Sequence, residues 1–125
     1  LEQQLVALVG THNAWQLIDR ELRRIEVVLD YDSSDLELVW PELHARVEPL
    51  CANSSASWAL SIRRYADRLN TALVDRDGSR TALAFRYFRR EISQRFFHVD
   101  TDLRELCDHL GEFRNPLLTM QGLLG

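Results

Sequence analysis

Ten apolar residues, Phe85, Phe88, Ile92, Phe96, Val99, Leu103, Leu106, Leu110, Phe113 and Leu117, follow one another at steps of 3, 4, 4, 3, 4, 3, 4, 3 and 4. At about 100° per residue such a run makes one stripe along an α-helix. A strand would scatter it over both faces, because strand side chains alternate every second residue. A helix this amphipathic must be covered by other helices, and the chain supplies them. Leu1, Leu5 and Leu8 begin a second 3–4 pattern, continued by Trp15, Ile18, Leu22, Ile25 and Leu29. Leu36, Val39, Leu43, Val47 and Leu50 form a third, and Trp58, Ile62, Tyr65, Leu69 and Ala72 or Leu73 a fourth. No stretch alternates over a strand's length. Turn-forming chemistry separates the stripes at Asp30-Tyr31-Asp32-Ser33-Ser34-Asp35, Asn53-Ser54-Ser55 and Asp75-Arg76-Asp77-Gly78. Short connections favour antiparallel neighbours. The expected fold is an all-α, antiparallel up-down bundle of four long helices, filling residues 1–125 as one domain.

Several positions test whether those helices are continuous, and breaks would give five or six segments. Asn13 would cap a restarted first helix, although the phase also allows one helix over 2–30. Pro41 removes a helical donor, so the second helix is expected either to start near Trp40 or to kink there. Ser79 is placed to cap the fourth. One helix over the long stripe would run to about 60 Å. A break is therefore expected at Val99-Asp100-Thr101-Asp102, where Asp102 and Glu105 fit a capping-box variant, or at Asn115-Pro116.

Residues 85–100 hold four Arg, four Phe and Tyr87, a mixture that can stack on bases and grip phosphates. On a helical wheel Phe85, Phe88, Ile92, Phe96 and Val99 share a wedge of about 60° and read as core. Phe97 lies off that face and Tyr87 nearly opposite it. Arg86 and Arg90, at i,i+4, repel one another on the Phe97 flank and need a counter-charge or solvent. Charge is distributed unevenly. Residues 26–50 carry seven carboxylates against Arg46 alone, whereas residues 63–95 carry nine Arg against four carboxylates. The two regions could neutralise each other within one molecule, meet between molecules, or leave the basic one to an anion. A net charge of −4 argues against nucleic acid. All fifteen basic residues are Arg, a bias that a GC-rich genome produces without functional demand.

Chemistry is hard to find. His44 and Cys51 share a helix face, but Cys107 and His109 diverge by about 200°, which is wrong for chelation. Cys107 borders the long apolar stripe and reads as a buried structural thiol, and both cysteines read as reduced in a cytoplasm. His12, in phase with the first stripe, reads as a core or interface residue. No Glu-x-x-His pair, Gly-rich phosphate loop, zinc-helix motif or serine elbow occurs. No catalytic, cofactor or metal residues are expected, and no apolar run approaches a membrane span. Starting at Leu1 and ending without a polar tail, the chain reads as a domain of a longer one.

These features point to a non-enzymatic protein–protein interaction domain, an adaptor or self-association module of a larger bacterial cytoplasmic protein of signalling or defence type. Its partner would be another domain or another copy. The expected basic surface is Arg63, Arg64, Arg86, Arg90 and Phe97, and the expected acidic one Asp32, Asp35, Glu37 and Glu42. One alternative is a bundle that binds nucleic acid or another anion through the same arginines. Another is a small-molecule sensor with a pocket lined by Trp15, Trp40 or Trp58.

Overall fold

A computed structural model describes residues 2–29 and 34–110, with the side chains of all but Val28, Ser34, Asp35 and Leu110. The described residues form four helices and no strand: α1 (Glu2–Leu29), α2 (Ser34–Cys51), α3 (Ser57–Val74) and α4 (Gly78–Leu110). Each helix packs on its neighbours in the chain, and α1 closes the ring against α4. The backbones of the diagonal pairs do not approach. The expected four-helix bundle is therefore the fold.

The stripes face inward as their spacing requires. Leu5, Trp15, Ile18, Leu22 and Ile25 of α1 are buried, as are Leu36, Leu43 and Val47 of α2 and Phe85, Phe88, Ile92 and Val99 of α4. Ala59, Ile62, Ala66, Leu69 and Ala72 supply the α3 face. Large aromatics fill the centre across the diagonals. Trp15 of α1 meets Trp58 of α3 edge to face at 5.9 Å between ring centroids, and Trp40 of α2 meets Phe88 of α4 at 5.2 Å. Since α1 and α4 have 28 and 33 residues and α2 and α3 only 18 each, the long pair continues past the short one. A second cluster of Leu5, Val9, Leu103 and Cys107 joins α1 to α4 there.

At the helix ends the structure narrows two either-or expectations and corrects a third. First, α4 does not break at residues 99–102. Val99 and Leu103 stay buried against α1, and Asp100 is engaged inside the helix by His12 at 2.9 Å and Arg104 at 2.9 Å. Thr101 Oγ1 donates back to Phe97 O. The carboxylate that could end a helix here is spent on side chains. The other candidate break, Asn115-Pro116, lies outside the described residues. Second, α2 begins at Ser34 rather than near Trp40, and it carries both Pro41 and Pro49 inside. Pro41 is exposed, so its ring faces solvent rather than a neighbouring helix. Third, the cap of α4 is Asp77 and not Ser79. Asp77 Oδ1 accepts from Arg80 N at 3.1 Å, and Asp77 O accepts from Thr81 N at 2.9 Å. Asn13 caps nothing, because α1 runs through it without restarting.

The α3–α4 turn is a Schellman closure. Asp77 N donates to Ala72 O and Arg76 N to Leu73 O, with Arg76 left-handed at φ 54°. At α3's start the serines sit in the loop. Ser54 Oγ accepts from Ala56 N, and the N-cap position falls to Ala56, which has no side-chain cap.

Candidate functional site

The arginine–aromatic stretch divides between core and surface. Phe85 and Phe88 are fully buried and Phe96 packs half-buried against the core, edge to face with His12 at 5.2 Å. Phe97 is 67% exposed. Tyr87 leaves the core side of α4 and stacks flat on Tyr65 of α3, with ring centroids 5.3 Å apart and planes 15° from parallel. An arginine lies over each ring. Arg68 sits 5.4 Å from the Tyr65 centroid and Arg90 sits 5.7 Å from that of Tyr87. Together with Arg80, Leu83 and Ala84 these tyrosines line an open groove between α3 and α4. The helical period explains it: Tyr65 and Arg68 are i,i+3, as are Tyr87 and Arg90, so each helix presents an aromatic with a cation one turn on.

The predicted basic residues are distributed over several sites. Arg90 covers Tyr87 and so flanks the groove, whereas Arg64 is exposed on α3 and does not line it. Arg63 turns the other way, toward α2, where Nη2 donates to Cys51 O at 2.6 Å. It satisfies a carbonyl at the C-terminus of α2, where a cation complements the helix dipole. Arg86 is exposed on α4 and has interactions of its own. Phe97 stands about two turns from Arg90 along α4, beyond the groove's lining. Of the predicted acidic residues, Glu37 and Glu42 lie exposed on α2. Asp32 and the Asp35 side chain fall outside the described residues.

Helix α2 is not the counter-ion of α3 and α4 among the described residues. Glu42 pairs with Arg46 at 2.6 Å and His44 faces Glu48 at 3.7 Å, both within α2. The ion pairs between helices join α1 to α4 instead. Arg89 Nε lies 2.7 Å from Glu26 Oε2, and His12 reaches Asp100. Arg64, Arg68 and Arg90 make no ion pair among the described residues. A basic strip thus stays uncompensated beside the stacked tyrosines.

Two features escaped the sequence reading. Asp19 is buried, accepting from Ser93 Oγ at 2.6 Å and from Arg23 Nε at 2.9 Å. Arg95 lies 3.8 Å over the Trp58 ring, and burial lowers its pKa against the pull of Asp102. Ser93 is 74 residues from Asp19 and Trp58 is 37 from Arg95, so no local signal announces these two contacts. Burial pushes both the Cys51 and Cys107 thiols up, which disfavours the thiolate that nucleophilic or metal chemistry needs. Among the described residues no three His, Cys, Asp or Glu gather to hold a metal. No described helix is long and apolar enough to cross a membrane. The tryptophans are occupied: Trp15 against Trp58, and Trp40 against Phe88 and His44, with its Nε1 donating to Asn70 at 3.4 Å.

Fold and surface together define a class, an antiparallel four-helix bundle with a tyrosine–arginine groove on one side. No protein-family model, curated protein or solved structure matches the chain.

Proposed function

We propose that the bundle is a non-enzymatic protein–protein interaction domain, working within a larger bacterial cytoplasmic protein of signalling or defence type. The observation that carries this reading is the α3–α4 groove. Two stacked tyrosines and Leu83 offer apolar contact at low entropic cost, while Arg68 and Arg90 stand over the two rings without ion pairs among the described residues. Tyrosine and arginine are the residues in which binding energy at protein interfaces concentrates. The chemistry suits an acidic, amphipathic helix of a partner.

Single-stranded nucleic acid is the rival occupant, since bases stack on aromatics beside arginines. Against it, the two tyrosines stack on each other rather than standing apart to take bases, and the chain is acidic overall. Fluorescence anisotropy with two labelled probes decides. An acidic amphipathic helical peptide is expected to bind the wild type, and to lose binding at least tenfold in the double variant Arg68→Glu/Arg90→Glu, roughly one to two charge-assisted contacts' worth. A short single-stranded RNA is expected not to bind. RNA binding that weakens steeply with salt, without peptide binding, would replace this reading with the nucleic-acid one.

A further inference from the structure

We infer that the groove's partner is the outward face of α2 on a second copy of this chain, so that copies associate head to tail. The inference rests on reading the groove as a protein-binding surface, and goes beyond it by naming the occupant. Helix α2 carries an exposed ridge. Leu38 is 79% exposed, and Ala45 lies exposed two turns further along the same face. Glu42 flanks this line on one side, Glu37 and Glu48 on the other, and all three are exposed.

The groove is the reverse of that ridge. Tyr65, Leu83 and Tyr87 make an apolar floor, with Arg68 on the α3 rim and Arg90 on the α4 rim. Carboxylates on both flanks of the ridge therefore face arginines on both flanks of the groove. The lengths also agree. From Leu38 to Glu48 is ten residues, as is Arg80 to Arg90, each about 15 Å of helix. Glu37 has no ion pair among the described residues. Glu42 is held by Arg46 in an exposed i,i+4 pair that contributes little and exchanges readily.

Ridge and groove share no residue, so one copy presents both at once. Such a contact is heterologous, and it builds open chains or closed rings rather than a two-fold dimer. One helix in one groove is small beside the standard interface of about 800 Å² per partner, so growth requires high protein concentration and low salt.

Sedimentation velocity over a range of concentrations and salts tests this with two complementary variants. The wild type is expected to gain mass in steps of one 14.6 kDa copy at low salt and to lose it at high salt. The groove variant Arg68→Glu/Arg90→Glu and the ridge variant Leu38→Asn/Glu42→Gln, whose neutral ridge has no attraction for a glutamate groove, are each expected to stay monomeric alone. Mixed, they are expected to form a one-to-one complex that grows no further, since one intact ridge then meets one intact groove. Circular dichroism shows whether each variant is folded. If either is not, the milder pair Arg68→Ala/Arg90→Ala and Leu38→Ala/Glu42→Ala takes its place in the same design. A wild type that stops at two copies, association that survives in either variant, or variants that do not complement would overturn the inference. A wild type monomeric at every concentration would overturn it too, leaving the protein-binding reading to the peptide and RNA probes.

Discussion

Asp19 shows what a single residue decides in this bundle. It is the one carboxylate buried among the described residues, held by Ser93 across the α1–α4 interface and by Arg23 within α1. Hydrogen bonds to charged groups contribute about 1.5–3 kcal/mol, and removing one partner leaves the other unmatched. Asp19→Ala is accordingly expected to cost about 1.5–3 kcal/mol in urea unfolding. Ser93→Ala should cost less, because Arg23 still satisfies the carboxylate. The two thiols give a pH signature. Both are raised above the ordinary 9.0 by burial, so the unfolded chain ionises first as pH rises. Their contribution is complete below about 9 and is lost as pH climbs through the folded values. The urea midpoint should fall over that alkaline window, and the fall should shrink in Cys51→Ala measured against its own neutral-pH stability. A midpoint independent of alkaline pH would contradict the burial of these groups.

Whole elements were easier to read than their ends. The 3–4 spacing predicts all four helices because burial of one face is the dominant stabilising term, and it follows directly from the period. Ends depend on which acceptor wins a local competition. Asp100 could cap a helix, but His12 and Arg104 take it, and α4 runs on. Two substitutions follow at this scale. Gly10 lies exposed in the interior of α1, and a Cβ there would meet nothing within 4 Å. Gly10→Ala should therefore raise stability by about 0.5–1 kcal/mol by removing unfolded-state entropy. Arg76 occupies the left-handed position of the α3 closure, where a side chain costs about 1–2 kcal/mol and glycine costs nothing. Arg76→Gly should recover roughly 1 kcal/mol, partly offset by the freedom glycine adds to the unfolded chain. A lower thermal midpoint in either variant would contradict the assigned backbone environment.

The whole molecule depends on aromatics that reach across the diagonals. Phe88 is fully buried and meets Trp40, tying α2 to α4 where their backbones do not approach. Phe88→Ala should cost about 3–5 kcal/mol, the range for emptying an aromatic site in a core. It should also redshift the emission of Trp40, whereas Phe97→Ala, on the exposed face of α4, should change stability by less than about 0.5 kcal/mol. At this scale the uneven charge also finds its place. The basic strip on α3 and α4 and the acidic ridge on α2 are separate faces of one body, not an internal ion-pair lattice.

Periodicity alone determined that this chain folds as four antiparallel helices, which residues form the core, and that Tyr87 and Phe97 lie off it. Those properties repeat every few residues, so a local pattern encodes them. Tertiary structure alone decided that Tyr65 and Tyr87 stack, that Arg63 caps α2 instead of joining Arg64, and that Asp19 is buried against Ser93. Each of these joins positions 12 to 74 residues apart. Which residues meet across an interface depends on helix rotation and register, and those are set by how the assembled side chains fill the core.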